Sequence, residues 1–514
     1  MFVEQMKSVL NEDYNESVTE NGMVGYKTQG SKLVDCNFAV SSMRHMSEQE
    51  IVNKFMDAYY ENPKLAMKWL FYMRDVREGL GERRSFRLIM QYIAENNQDV
   101  AMSVIDLIPE YGRWDDLVAL IECNNANILN EVIDIIHFQL EEDKRNIKEN
   151  KSISLLGKWL PSINASSKDT IRRGKYIANA LGYTPKQYRK LLSELRKHIN
   201  VVECKMSAKQ WNEIDYSKVP SKANINYNNA FLRNDTERRQ AFLEGLKKGE
   251  TKINASVLFP HDVVHKYCNT SYWNCMINPY DETLEQLWKS LKDMGNINNT
   301  IVVADGSGSM TCQVDNKSSV TALDVANALA IYCGERCSGE FKDKYITFSH
   351  RPQLVDFTNA KSLKEKIEIA FRHNEIANTN IKAVFDLILT TAKNNNMSQE
   401  EIPQNILIIS DMEFNGCVNI GNWDRPTPKF FEQIKQEYNE AGYKLPRLVF
   451  WNVNSRTNTI PIRQNELGVA LVSGFSVNVL NMVMSGELDP YKCLVNELNR
   501  DRYMPIEEAL VGII

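Results

Sequence analysis

Thr300-Ile301-Val302-Val303-Ala304-Asp305-Gly306-Ser307-Gly308-Ser309 decides the fold of this chain. Apolar and β-branched residues run without alternation and stop at an aspartate followed by a glycine-bearing turn. A short continuous apolar run bounded by turn residues is the pattern of a strand buried on both faces. Downstream the period changes: Ala322, Val325, Ala326, Leu329 and Ala330 recur at three and four, which predicts a helix. Strands are predicted near 345–349 and 354–357, a helix near 383–393, and a buried strand at 406–410 closed by Asp411. A helix around 428–440 and a strand at 448–451 ending in Asn452 continue the alternation. Alternating helices and continuous apolar strands predict a doubly wound parallel α/β sheet over residues 296–514.

Upstream the reading is helical. From 48 to 195, apolar residues recur at helical spacing: Ile51, Phe55, Ala58 and Tyr59; Leu65, Trp69, Leu70 and Met73; Phe86, Ile89, Met90 and Ile93. Breaks fall at Pro63, Gly79-Leu80-Gly81, 109–112 and 157–161. Short helices in tandem predict a HEAT-like repeat domain over 30–295, with repeats of roughly 40 residues. Residues 1–46 are polar and mixed, and 1–29 read as a loosely structured leading segment. The fold class is therefore an α-helical repeat domain followed by an α/β domain.

The chain has 514 residues, 43% hydrophobic and 25% charged, which excludes a disordered chain and a membrane bundle. Its net charge of −5 hides an asymmetry. Residues 1–150 carry 16 basic and 26 acidic side chains, residues 151–252 carry 21 and 9, and residues 253–514 carry 24 and 31. A basic middle between acidic flanks points to a polyanionic partner for that segment. Ten cysteines without a C-x-x-C pair read as reduced thiols rather than as a disulfide framework or a zinc site. With no apolar run long enough to span a bilayer and no secretory pattern at the N-terminus, a cytoplasmic monomer is expected.

In open α/β sheets, ligands sit beyond the carboxyl ends of the strands. Asp305 and Asp411 each close a buried strand there, with Ser307, Ser309 and Thr379 as neighbouring hydroxyls. Such an all-oxygen set suits Mg²⁺, Mn²⁺ or Ca²⁺, with Mg²⁺ the first choice. In order and context these residues resemble the metal-ion-dependent adhesion site of von Willebrand factor A domains. That resemblance implies that Asp305, Ser307, Ser309, Thr379 and Asp411 hold a divalent cation, directly or through water. It also implies an open position for an acidic group from a protein partner. Asn378 departs from the glycine often found before the threonine.

Other segments carry a second resemblance. They include Trp69-Leu70-Phe71-Tyr72-Met73-Arg74-Asp75-Val76-Arg77, Gly79-Leu80-Gly81-Glu82-Arg83, Tyr111-Gly112-Arg113-Trp114-Asp115-Asp116-Leu117 and Lys158-Trp159-Leu160-Pro161-Ser162. Ser410-Asp411-Met412-Glu413-Phe414, Phe450-Trp451-Asn452 and Ser473-Gly474-Phe475-Ser476 belong with them. Over about residues 30 to 510 the chain resembles the domain of unknown function 2828 family. That family is similar in turn to the TROVE-domain proteins, the family of the Ro 60-kDa autoantigen. The likeness implies a ring of helical repeats that binds structured and single-stranded RNA, beside a von Willebrand factor A domain.

The residues support RNA binding on their own terms. Residues 151–200 hold 11 basic and 2 acidic side chains. The candidate phosphate contacts are Lys168, Arg172, Arg173, Lys175, Lys186, Arg189, Lys190, Arg196 and Lys197. Trp159, Tyr176, Tyr183 and Tyr188 are interleaved with them, and cations with stacking rings are what a single strand requires. The Arg74–Arg84 stretch (Arg74, Asp75, Arg77, Glu82, Arg83, Arg84) reads instead as an ion-pair network locking two helices. G-x-S-x-G and the phosphate-binding G-x-x-x-x-G-K-[ST] are both absent, so no enzyme is expected. The expected function is a non-catalytic RNA-binding ribonucleoprotein scaffold. The alternatives are a metal-dependent protein adaptor without RNA and, third, a metal-assisted hydrolase.

Overall fold

A computed structural model of the chain describes residues 6, 14–271, 274–375, 380–415, 430–462 and 468–514. They form two compact units, each assembled from two stretches of sequence. One is Met1–Leu65 with Ala255–Arg500, and the other is Ala66–Asn254 with Asp501–Ile514. The sequence reading divides the chain at 29/30 and 295/296 instead.

The first unit is built on six strands: β1 (Thr300–Asp305), β2 (Lys344–Phe348), β3 (Gln353–Asp356), β4 (Asn405–Ser410), β5 (Arg447–Asn452) and β6 (Val469–Ser473). Their order in the sheet is β6-β5-β4-β1-β2-β3. All neighbours pair in parallel except β3, which runs antiparallel to β2 at the edge. Every residue of β1, β5 and β6 is buried. Parallel pairing demands this, because crossover helices cover both faces. The edge strand β3 instead alternates, with Leu354 and Asp356 exposed and Val355 buried. The order in which strands are added to the sheet reverses between the parallel neighbours β1 and β4. That is the switch point where a doubly wound sheet opens a crevice at its strand ends.

Helix Ala322–Gly334 packs on β1 and is buried along almost its whole length. A capping box between Thr321 and Asp324 starts it. The predicted helices near 383 and 428 are Lys382–Asn394 and Phe430–Glu440. The strand β6 has no counterpart in the sequence reading, although Val469-Ala470-Leu471-Val472 is a continuous apolar run.

The leading segment is not loose where it is described. Glu16–Val18 and Val24–Tyr26 pair as a hairpin. Tyr26 exchanges backbone hydrogen bonds with Ile460 at 2.9 and 2.8 Å. Helix Lys32–Phe38, capped by Ser31, buries Leu33, Val34, Cys36 and Phe38 against the edge strand β6. The Asn452 side-chain amide donates to Phe38 O at 2.8 Å, and Ser41 N donates to Ser473 Oγ at 3.0 Å. Helix Glu48–Glu61 packs on Lys32–Phe38, and helix Pro260–Tyr267 packs on Ala322–Gly334. All of these elements therefore belong to the α/β unit.

The second unit is a tandem array of helices, from the 23 residues of Ala126–Lys148 down to the four of Leu156–Trp159. Its first helices are fastened by buried charge. Arg74 donates to Asp116 Oδ2 from Nε and Nη2 at 2.8 and 2.6 Å, with both side chains almost fully buried. Arg87 reaches Asp116 Oδ1 and Asp115 Oδ2, each at 2.6 Å. Asp75, also buried, accepts from Arg502 at 2.8 and 3.2 Å and from the Tyr503 hydroxyl at 3.3 Å. Of the predicted Arg74–Arg84 network, Arg74 and Asp75 are thus buried and paired, but with Asp116 and Arg502 outside the stretch, while Arg77 and Arg83 are exposed and reach Glu110 and Asp115. Gly79 is required beside it, since a Cβ there would lie 1.9 Å from Tyr72 O.

Candidate functional site

The crevice at the switch point is built by the loops that leave β1 and β4. Asp305 is the last residue of β1 and is buried. Ser410 Oγ donates to its Oδ2 at 2.7 Å, and Ser307 N donates to its Oδ1 at 2.9 Å. Ser307 Oγ and Ser309 Oγ lie 3.1 Å apart. Gly306 allows this turn, because a Cβ there would lie 2.9 Å from Thr347 Oγ1 on the neighbouring strand. Beyond β4, Met412 takes the left-handed conformation with φ 62°. A buried, unbranched but bulky residue there marks local strain of the kind that collects at functional sites.

Asp411 is buried on the facing loop, where against that burial the Ser309 hydroxyl draws its pKa down. The structure therefore brings together Asp305, Ser307, Ser309 and Asp411, as the sequence predicts. Thr379, with Asn378, lies outside the described residues. Burial, and after it the Asp411 carboxylate, pushes Asp305 up to about 7. Burial also raises Asp411, against the pull of Arg456 and Ser309. Two buried carboxylates near enough to repel, with the Ser307 and Ser309 hydroxyls on the same loop as Asp305, fit a hard divalent cation, whose charge would offset both burial and repulsion. Among the described residues, no three His, Cys, Asp or Glu side chains cluster to ligate a metal. Two carboxylates supplemented by hydroxyls are the set on offer.

Two members of the site escape the sequence reading. Arg456 Nη1 donates to Asp411 Oδ2 at 3.2 Å while its Nε donates to Glu20 Oε2 at 2.7 Å. Glu413 is fully buried and accepts from the backbone N–H groups of Glu20, Arg456 and Thr457 at 2.8–2.9 Å. It pins the loop that carries Arg456 against the Asp411 turn. Arg456 is 45 residues from Asp411, and no local pattern marks that distance.

A further network joins helix Pro260–Tyr267 to the start of helix Ala322–Gly334. His265 joins Asp324 Oδ2 through Nδ1 and Ser319 Oγ through Nε2, both at 2.9 Å. Asp324 Oδ2 also accepts from Thr321 N at 3.0 Å as part of the capping box. The carboxylate is committed to starting a helix, and the chain of bonds ties the exposed loop at 315–320 to helix Pro260–Tyr267.

In the helical unit, Lys168–Ala180 and Pro185–His198 pack together and carry the nine predicted cations. Lys168, Lys175, Lys186, Arg189, Lys190 and Lys197 are exposed and stand outside every ion pair among the described residues. The other three are engaged. Arg172 and Arg173 converge on Glu122, at 2.6 Å each through Nη2. Arg196 donates to Gly157 O, Leu160 O and Ser162 Oγ at 2.9–3.0 Å, bracing the loop before the first of these helices. Of the interleaved rings, Tyr176 is 42% exposed. Tyr188 is buried with its hydroxyl on Pro161 O at 3.1 Å. Tyr183 accepts from Lys144 Nζ at 2.6 Å. Trp159 has the Arg113 and Lys158 cations 4.9 and 5.6 Å from its ring centre.

A basic helical array and a doubly wound sheet with an oxygen-lined crevice are matched by two separate families. Residues 167–297 match the domain of unknown function DUF2828, and residues 299–503 match the domain of unknown function DUF7788. The chain belongs to the DUF2828 family. The uncharacterized protein L728 of Acanthamoeba polyphaga mimivirus is 32% identical to it over 94% of this chain and 87% of that protein. The DUF2828 match covers less of the chain than the 30–510 read from motifs. The crystal structure of the Deinococcus radiodurans RO (RSR) protein aligns with a TM-score of 0.41 at 15% identity, over 82% of this chain and 90% of that one. Among the described residues, no helix is long and apolar enough to cross a membrane.

Proposed function

We propose that the chain is a non-catalytic RNA-binding protein, a ribonucleoprotein scaffold that also carries a divalent-cation site for an acidic group of a partner. The observation that carries the RNA reading is the set of six exposed, unpaired cations on two packed helices. Surface lysines and arginines near carboxylates are already neutralised, whereas these remain available for phosphates. Each phosphate contact releases counterions, so affinity must fall as salt rises. The resemblance to TROVE-domain proteins points the same way.

Reversing Lys175, Lys186 and Lys190 to glutamate removes three such contacts. On single-stranded RNA, at about 0.7 per contact, the log–log salt slope should flatten by roughly two. Fluorescence anisotropy against a labelled oligonucleotide at several salt concentrations reads this directly. Asp305→Ala should leave the slope unchanged, because its loop contributes none of these cations. Unchanged binding by the triple variant would move the RNA surface elsewhere. No RNA affinity in the wild type would put the metal-dependent adaptor first, since the paired carboxylates of Asp305 and Asp411 stand independently of RNA.

A further inference from the structure

Beside the exposed cations a groove of about 540 Å³ opens between helix Pro185–His198, helix Val202–Ser207 and the loop at 162–164. That volume lies within the range of small-molecule sites. Arg189, Ser193, Lys197 and Asn200 line one wall, spaced to share a face of the helix and its end. Ile163, Leu192, Val201 and Ala208 add apolar surface. Lys205 donates to Glu213 O at 2.6 Å and closes the far side. Glu213 is the one acidic residue lining the groove.

We infer that this groove seats a single unstacked nucleotide of a bound RNA strand. The inference rests on the RNA reading above and adds a place to it. A nucleotide pairs a flat base, with weakly hydrated faces and a hydrogen-bonding edge, with a charged phosphate. Apolar surface beside Arg189 and Lys197 matches both halves, as an acidic side chain or a free phosphate would not. Arg196, fixed on Gly157 O and Leu160 O, holds the wall rigid while its two neighbours stay free. A single strand can turn one base into such a groove, whereas duplex keeps its bases stacked.

Cys204 reports on the groove, because it lines the cavity and is exposed. Cys312 is also exposed and belongs to the α/β unit, so it serves as an internal control. The full chain would be alkylated with a maleimide, with and without an oligouridine of about ten nucleotides, and both thiols followed by peptide mass spectrometry. With RNA about tenfold above its dissociation constant, occupancy should slow Cys204 alkylation about tenfold and leave Cys312 unchanged. In the Arg189→Ala, Lys197→Ala double variant that protection should be lost, while the remaining cations still retain RNA. RNA that binds by gel retardation but leaves Cys204 at its free rate overturns the groove and spares the RNA reading. Absence of any retarded complex overturns both. Protection by poly-glutamate and not by oligouridine assigns the groove to an acidic protein and overturns the nucleotide.

Discussion

Replacing Asp116 with alanine should destabilise the helical unit by about 3–5 kcal/mol, the cost of breaking a buried ion pair from one side. Its two carboxylate oxygens are shared between Arg74 and Arg87, and it accepts Arg113 N as well. Removing it leaves the fully buried Arg74 guanidinium without its anion. At roughly 2–4 °C per kcal/mol for a unit of this size, the melting temperature should fall by roughly 6–20 °C. Thermal unfolding followed by circular dichroism measures this. A fall of no more than a degree or two would mean that the network is solvated rather than buried. Replacing Arg74 and Asp116 together by Met and Leu should cost far less than the single change, since no charge is then left unpaired.

The second large effect falls on the metal-type site. Asp305→Ala should abolish Mg²⁺ or Mn²⁺ binding measured by calorimetry, with the far-ultraviolet circular dichroism of the wild type retained. Asp305 is held by Ser410 Oγ and Ser307 N, so the alanine removes a ligand without removing a strand. Arg456 bears on the outcome. It already neutralises Asp411 at 3.2 Å, and an arriving cation would meet that guanidinium. Arg456→Gln should therefore tighten cation binding. Wild-type protein that takes up neither metal at millimolar concentration would make Asp305 and Asp411 a pair held only by hydrogen bonds and Arg456.

The parts of this protein written in local sequence were readable, and the parts made by distant contacts were not. β1, β4 and β5 declare themselves because a strand buried on both faces must be apolar throughout. Asp305 and Asp411 follow because each ends such a strand. Helix Lys32–Phe38 is only seven residues long and sits in polar surroundings, so its pattern has less than two turns to show. Helix Glu48–Glu61 is periodic enough to predict, yet period does not say which unit it joins. Arg172 and Arg173 look like phosphate contacts until Glu122, about fifty residues away, is brought beside them. Tyr188 did carry a signal. With Leu191, Leu192 and Leu195 it forms the buried stripe of its helix, which outweighs its place among lysines.

The central claim is that the full chain binds RNA through unpaired surface cations. It is tested most directly by titrating wild-type protein, freed of nucleic acid by nuclease and high salt, into labelled single-stranded oligouridine at several salt concentrations. Six free cations allow up to six phosphate contacts, so the log–log slope should be negative and reach as far as about −4. No binding at low salt, or binding whose strength does not change with salt, would contradict it.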